Sequence, residues 1–162
     1  MRYCPQCGQN LIELPLAGRE RMTCPDYQCG WVHWDNPLPV VAAIVEHADS
    51  AGKIVLARNK AWAGDFYALI TGFLERDESP EEGVAREVME ELSLETVATE
   101  LVGVYPFTRK NELIIAYHVV ARGEIALNEE LAAYKLVEPK DLQPWDAGTG
   151  WALRDWMKRR GL

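Results

Sequence analysis

The sequence predicts an α/β sandwich preceded by a small cysteine-rich segment. Two observations support this fold class. All four cysteines occur within the first 29 residues, whereas the remainder combines strand-like apolar runs with one internal and one C-terminal helical pattern. The chain has 162 residues, 48% of them hydrophobic, which is enough to bury one sizeable core beside a small appendage. We therefore divide the chain into segments 1–36 and 37–162.

The cysteines form two close pairs, Cys4 with Cys7 and Cys24 with Cys29. Pairs at this spacing are typical of a tetrahedral zinc site in a small ribbon of two knuckles. Two disulfides or four unrelated thiols are the alternatives. The chain opens without the apolar run of a secretory signal, so we expect a cytoplasmic protein and favour zinc over disulfides. His33 lies near the last cysteine and is a weaker candidate ligand.

The zinc predicted here is structural, because four thiolates leave no open coordination position. Segment 1–36 has few residues that could form a core, and we expect metal binding to supply its folding free energy. The segment has only Arg2, Arg19 and Arg21 as basic residues. That is too few for a strong phosphate footprint, which disfavours a nucleic-acid-binding finger as the main function.

Turn residues at 35–37 mark the start of the second segment, and five apolar stretches then fit β-strands. These stretches cover residues 39–45, 53–57, 95–107, 112–121 and 134–137. We expect the first two to pair across residues 48–52, and the third and fourth to form a long antiparallel pair around residues 109–111. Residues 66–71 lead into a glycine turn, and an amphipathic helix over 150–160 closes the chain.

The internal helix is predicted from Ser79, a typical N-cap, followed by Pro80 at the first helical position, and it should end near Leu92. At about 100° per residue, its apolar side chains should share one face. They are those of Val84, Ala85, Val88, Met89 and Leu92. Three carboxylates are expected on the opposite face, those of Glu87, Glu90 and Glu91.

Carboxylates packed this closely repel one another unless a cation lies between them, and hard divalent ions with oxygen ligands meet this need. Mg2+ is the expected ion, with Mn2+ as the alternative. Glu78 in the preceding loop is expected to pair with Arg86, which would keep Arg86 from neutralising the acids. The competing interpretation is a solvated helix face with Arg86 paired to Glu90 at i, i+4. The upstream Gly72 and Glu78 favour the metal site.

The residues from Gly72 to Glu91 follow the pattern G-x5-E-x7-R-E-V-x-E-E and closely resemble the signature box of the Nudix hydrolases. The resemblance implies an α/β/α sandwich with a mixed sheet and hydrolysis of phosphoanhydrides. It also implies that the three helix glutamates and the backbone carbonyl of Gly72 hold the metal ions, and that one of these acids or a later one is the general base. Ser93 replaces the family's glycine, which is favoured there as a helix stop with positive φ, so we expect a slightly different helix end.

A zinc ribbon directly before the box is similar to the NADH pyrophosphatase group of Nudix hydrolases and to its relatives that act on ADP-ribose or FAD. In that group an aromatic residue after the signature glycine stacks on the purine, and Phe73 matches it. A second aromatic contributes across a dimer, and Trp34 matches it; a homodimer is therefore expected from the resemblance alone. Core packing is the alternative for both residues. Tyr105 stands where the group has tryptophan in a downstream motif and is a third candidate substrate-binding residue. Glu130 matches a downstream glutamate that is a candidate ligand or base.

The net charge of −8 argues against broad, salt-driven nucleic-acid binding and fits a cation site. We therefore predict a Mg2+-dependent pyrophosphohydrolase that cleaves a nucleoside diphosphate-linked metabolite, NAD(H), ADP-ribose or FAD, to monophosphates. Removal of a NAD cap from RNA is a weaker alternative, and a non-catalytic nucleotide sensor is an alternative of another class. No membrane partner is expected. Candidate local phosphate contacts are Arg58, Lys60, Arg109 and Lys110.

Overall fold

The computed structural model describes all 162 residues, which form two compact units, Met1–Asn36 and Pro37–Leu162. The first unit contains an antiparallel hairpin of β1 (Ile12–Leu16) and β2 (Arg19–Thr23). Its small core consists of Cys4, Leu11 and Cys24, with Met22, Cys29 and Trp31 packed against it. The strands of this hairpin were not predicted individually. Pro15 lies within β1, and a two-stranded sheet tolerates it because both strands are edges.

The second unit is built on a six-stranded mixed sheet, which confirms the predicted sheet type. Its strands are β3 (Leu38–His47), β4 (Lys53–Asn59), β5 (Ile70–Phe73), β6 (Glu95–Phe107), β7 (Glu112–Arg122) and β8 (Leu131–Val137). They are ordered β6-β7-β3-β4-β8, and β5 pairs with β3. The pair of β3 with β7 is parallel, and all other pairs are antiparallel. The central strand β3 therefore connects every part of the sheet.

Two helices, α1 (Pro80–Leu92) and α2 (Thr149–Arg159), pack against the sheet through two separate cores. Alternate residues of β3 enter the two cores: Val41, Ala43 and Val45 join that of α1, and Val40, Ala42 and Ile44 join that of α2. A strand covered on both faces is apolar along its buried length, as β3 is over residues 38–45. The predicted α/β/α sandwich is confirmed. Neither helix has the length and apolar character needed to cross a membrane.

Helix α1 begins as predicted, because its first turn is fixed by local hydrogen bonds. The Ser79 hydroxyl accepts from the N–H of Glu82 at 3.3 Å, and the Glu82 carboxylate accepts from the N–H of Ser79 at 2.8 Å, which completes a capping box. The helix buries Gly83, Val84, Val88, Glu91 and Leu92. Met89 was assigned to the apolar face, but it is 47% exposed at the edge of that face.

The C-terminal end of α1 is closed by Ser93, which adopts the left-handed conformation with φ 59° and donates its N–H to the carbonyl of Met89 at 2.9 Å. The serine takes the left-handed conformation that glycine favours at such a position. We expect Ser93→Gly to raise the free energy of unfolding by about 1 kcal/mol, since the strain of a Cβ at positive φ disappears. Urea unfolding would measure the gain. Ser93→Ala keeps the Cβ and serves as the control; an equal gain in both variants would contradict this explanation.

Candidate active site

An open cleft of about 500 Å³ lies between the exposed side of α1 and the end of β5. The structure brings most of the sequence-predicted acids together here. We call this space the acidic cleft, and its walls include Gly72, Phe73, Arg86, Glu87, Glu90, Glu91, Lys110, Glu112 and Glu130. Strand β5 supplies Gly72 and Phe73, and Glu130 immediately precedes β8. Helix α1 supplies Arg86, Glu87, Glu90 and Glu91. The cleft therefore combines the acids of α1 with Glu112 of β7 and with Glu130.

Glu91 is the most unusual residue of the cleft, because its carboxyl group is buried without a hydrogen-bond donor. The residue is only 9% exposed. Burial, together with the nearby charges of Glu87, Glu130 and Glu90, raises its pKa to about 8. A carboxylate in these surroundings needs a cation, and an all-oxygen ligand set suits a hard divalent ion. The residues present therefore fit Mg2+ or Mn2+.

Glu87 lies directly against Gly72, and their contact explains why glycine is needed in β5. A Cβ on Gly72 would overlap the Glu87 carboxyl group. Gly72 was expected to lie in a turn. It lies instead within the sheet, where it pairs with Val41. Glycine is needed here because the Glu87 side chain approaches the backbone of β5 closely, and not because the backbone has an unusual φ.

The predicted position of the acids opposite the core is correct only for Glu90, whose side chain is 56% exposed. Glu87 and Glu91 each lie three residues after a core valine, Val84 or Val88. Residues three apart on a helix are separated by only about 60° around the axis, so both acids flank the buried face. This placement explains the burial that raises the pKa of Glu87, against the opposing effect of its hydrogen bond with Arg86.

Arg86 connects the loop before α1 to the acids of the helix. Its guanidinium donates to both oxygens of Glu78, at 2.8 and 3.1 Å, and to the carbonyl of Phe73 at 3.0 Å. It also donates to Glu87 at 2.7 Å and to Glu90 at 3.1 Å. The expected pair with Glu78 is present and lowers the pKa of Glu78. The expectation that Arg86 would be kept from the other acids is wrong, because five N–H groups allow one guanidinium to serve several partners.

Among the four basic candidates for phosphate contact, only Lys110 lies in the acidic cleft. It belongs to the 3-10 turn Thr108–Lys110 between β6 and β7, and its Nζ lies 3.9 Å from Glu112 Oε1. Arg109, in the same turn, faces a neighbouring cavity. Arg58 and Lys60 donate to the backbone carbonyls of Gly64 and Glu129, respectively.

That neighbouring cavity, which we call the aromatic cavity, has a volume of about 370 Å³. It is lined by four aromatic side chains, those of Trp62, Phe66, Phe107 and Trp145. It shares Val40, Thr71, Lys110 and Glu112 with the acidic cleft, so the two spaces are adjacent. This cavity was not predicted, because its rings come from three segments that are distant in sequence. One signal was available: Trp62 and Phe66 occur in a turn-rich polar loop, where aromatic residues are unusual.

The three residues predicted to bind substrate are placed very differently. Phe73 lines the acidic cleft and is 56% exposed, so it is not a core residue. Tyr105 packs into the core of α2, where its hydroxyl donates to Asp155 Oδ2 at 2.8 Å. Trp34 belongs to the first unit, where it is 48% exposed and the guanidinium of Arg21 lies 4.8 Å from the centre of its ring.

The four cysteines of the first unit form a cluster in which all sulfur atoms lie within 4.8 Å of one another. Burial opposes ionisation of Cys4, but hydrogen bonds from the backbones of Cys7 and Gln6 prevail and lower its pKa to about 7. Thiolates at this separation are suitable ligands for a metal ion. His33 stays outside the cluster, stacked on Trp31 with 6.0 Å between ring centroids.

The α/β/α sandwich and its acidic cleft agree with the class that the signature box indicates, the Nudix hydrolases. Comparison with known families gives the same result. The NUDIX domain model matches residues 37–158, so the chain belongs to the NUDIX family. It is 30% identical over 131 residues to the NAD-capped RNA hydrolase NudC of Pseudomonas aeruginosa, a match over 80% of this chain and 44% of NudC. The protein of the same name from Vibrio atlanticus is 32% identical over 119 residues, covering 72% of this chain and 41% of its own length.

The chain thus spans less than half the length of these two curated relatives. A solved structure covers it more completely. The NUDIX hydrolase from Nitrosomonas europaea superposes with a TM-score of 0.80 and 26% identity, over 99% of this chain and 93% of that chain. The match therefore includes residues of both units.

Proposed function

We propose that the protein is a divalent-metal-dependent pyrophosphohydrolase that cleaves a nucleoside diphosphate-linked metabolite, NAD(H), ADP-ribose or FAD, into two monophosphates. The observation that supports this best is the buried carboxyl group of Glu91, which lacks a hydrogen-bond donor and faces the charges of Glu87, Glu90 and Glu130. Such a group destabilises the fold when ionised and is useful only with a cation. NUDIX membership agrees with this chemistry.

We assign the divalent ion to Glu87, Glu90 and Glu91, with the backbone carbonyl of Gly72. Such an ion, Mg2+ or Mn2+, neutralises charge on the phosphates and makes water a better nucleophile. Arg86 would hold Glu87 and Glu90 in position through the hydrogen bonds already described, with Glu78 fixing Arg86 in turn. Gly72 permits the close approach of Glu87 to β5.

In the hydrolysis itself, a water oxygen forms a bond to one phosphorus while the bridging P–O bond breaks. The bridging oxygen leaves with the other phosphate, and the water gives up a proton. Glu130 is our candidate acceptor for that proton, because it is exposed to solvent in the cleft and lies near Glu91. Lys110, across the same cleft, is placed to contact a phosphate oxygen.

We propose that the four thiols of the first unit bind a structural Zn2+ and that its role is to hold Met1–Asn36 together. The core of this unit has only three buried residues, Cys4, Leu11 and Cys24. A core this small cannot stabilise a fold without metal or disulfides. Reduced cysteines also agree with a cytoplasmic location.

The proposed function is tested with a panel of NADH, NAD, ADP-ribose, FAD, diadenosine polyphosphates and nucleoside triphosphates. Chromatography would follow the release of AMP from the adenine-containing substrates and of other monophosphates. We expect release with Mg2+ or Mn2+ and none without added divalent ion. A fully zinc-loaded, folded protein that releases no monophosphate from any member would contradict hydrolysis and favour a nucleotide sensor.

NAD-capped RNA belongs in the same panel, because the curated relatives are named for that substrate. The bond cleaved would be the same phosphoanhydride. The net charge of −8 makes a long RNA a less favourable ligand than a free dinucleotide, so we expect faster turnover of NAD(H).

We also propose that the protein forms a homodimer, which analytical ultracentrifugation of the full chain would test.

A further inference from the structure

We propose that the aromatic cavity of Trp62, Phe66, Phe107 and Trp145 is the binding site for the nucleobase of the substrate. This inference rests on the proposed function, since it names where one half of the diphosphate-linked substrate is held. The starting observation is that the cavity and the acidic cleft share Val40, Thr71, Lys110 and Glu112 along one boundary. A single ligand can therefore occupy both.

The shape of the cavity suits a flat ring. The centroids of Trp62 and Phe66 lie 5.8 Å apart at an angle of 45°, and those of Phe66 and Trp145 lie 5.3 Å apart, edge to face. Its volume of about 370 Å³ falls within the usual range of small-molecule sites. Nucleobases bind proteins largely by stacking on aromatic side chains, with little dependence on which base is present.

The exposure of these rings is also difficult to explain without a ligand. Trp62 is 40% exposed and Phe66 is 48% exposed, although both lie beside an apolar cavity. Large aromatic side chains left in contact with water forfeit the stabilisation that burial provides. A base inserted beside them would recover part of that stabilisation, which makes this surface a binding site rather than an incidental patch.

The charges at the boundary match the rest of a nucleotide. Lys110 lines both spaces, and Arg109 lines the aromatic cavity. The guanidinium of Arg109 lies 5.4 Å from the ring centre of Phe107, and the Nζ of Lys110 lies 6.0 Å from it. Cations held at this boundary can meet phosphate oxygens on the path from the base to the acids. Apart from Glu112, which lies 3.9 Å from Lys110 at this boundary, the order aromatic, basic, acidic matches the order base, phosphate, metal.

This assignment differs from the one that the family resemblance suggests. Phe73 lines the acidic cleft but not the aromatic cavity. Its carbonyl accepts from Arg86, so its backbone belongs to the support of the acids. The two possible positions of the base are therefore separable by mutation.

The test measures binding of AMP to the full-length, zinc-loaded chain by isothermal titration calorimetry, with ribose 5-phosphate as the ligand that lacks a base. The variants are Trp62→Ala and Phe66→Ala, with Phe73→Ala as the matched comparison. We expect each cavity variant to weaken AMP binding by at least ~10-fold and to change ribose 5-phosphate binding by less than about twofold. Phe73→Ala should change AMP binding by less than about threefold. Thermal unfolding checks that each variant is folded; both cavity residues are partly exposed, so truncation should be tolerated.

Loss of AMP binding in Phe73→Ala, with normal binding in both cavity variants, would overturn the proposal. Failure of the wild-type chain to bind AMP at millimolar concentration, with or without Mg2+, would overturn it as well. These outcomes are independent of turnover. If Trp62→Ala loses AMP binding but the wild type hydrolyses nothing in the panel, the cavity assignment stands and the hydrolase proposal fails. If Trp62→Ala hydrolyses NADH at the normal rate with an unchanged KM, the hydrolase proposal stands and the cavity assignment fails.

Discussion

Glu91→Gln is expected to lower turnover by at least ~100-fold while leaving the protein without divalent ion no less stable than the wild type. Glutamine keeps the shape of the side chain but removes the charge that a divalent ion needs, and losing one electrostatic stabiliser has an effect of this size. The stability expectation follows from burial. The ionised carboxylate is unfavourable among Glu87, Glu90 and Glu130, so its removal costs the fold nothing.

The pH dependence of stability gives this prediction a second measurement. The folded pKa of Glu91, about 8, lies above the ordinary value of 4.5. The folded state therefore binds this proton more tightly than the unfolded state does. Without added divalent ion, the wild type should lose stability as the pH rises from about 4.5 to about 8, whereas the glutamine variant should lack this contribution. Urea unfolding at several pH values in this range would show the difference.

Two further variants complete the test. Glu90→Gln should reduce turnover to a similar extent, because Glu90 belongs to the same proposed ligand set. Glu124→Gln is the matched control, since Glu124 is exposed and does not line the cleft. Near-normal turnover in both Glu91→Gln and Glu90→Gln would remove the basis for a metal site on α1.

The second large effect is expected for Cys24→Ser, which should lose the bound zinc and unfold the first unit. Cys24 is 5% exposed and belongs to the small core of that unit, and its sulfur lies 3.5 Å from that of Cys7. A serine hydroxyl is a poor zinc ligand, and the remaining apolar contacts are too few to keep the segment folded. Zinc content measured by mass spectrometry and limited proteolysis within residues 1–36 would follow the two effects.

Tyr27→Ser provides the comparison, because Tyr27 lies between the second pair of cysteines and is 88% exposed. It should retain one zinc per chain and remain resistant to protease. Stoichiometric zinc in Cys24→Ser would show that Cys24 is not a ligand. Because the second unit has its own cores, we expect its unfolding transition to persist in both variants.

Features of the second unit that depend on neighbouring residues were predictable from the sequence. The start of α1 is one example: Ser79, Pro80 and Glu82 form a capping box within four positions, so no distant contact is needed to define it. The apolar run over residues 39–45 of β3 is another, because a strand covered on both faces is apolar along its buried length. The fixed spacing from Gly72 to Glu91 likewise indicated that loop and helix act together.

Features that depend on distant contacts were not predictable. How deeply Glu87 and Glu91 are buried depends on how α1 packs against the sheet, which the pattern of the helix alone does not describe. Tyr105 was assigned to the substrate, but its hydroxyl is bonded to Asp155 in α2. The aromatic cavity combines the loop after β4, the end of β6 and the segment before α2. No local pattern could have shown that these segments meet.

The parallel pairing of β3 with β7 has a consequence for the order in which activity is acquired during folding. Leu38 lies opposite Glu112, and the chain between them contains α1 and β6. Contacts between residues so distant in sequence form slowly, because a long loop must close first. Gly72 is attached to β3 directly, whereas Lys110 and Glu112 reach the cleft only through β7. A refolding chain should therefore regain the helical signal of α1, with its glutamates, before it regains hydrolysis.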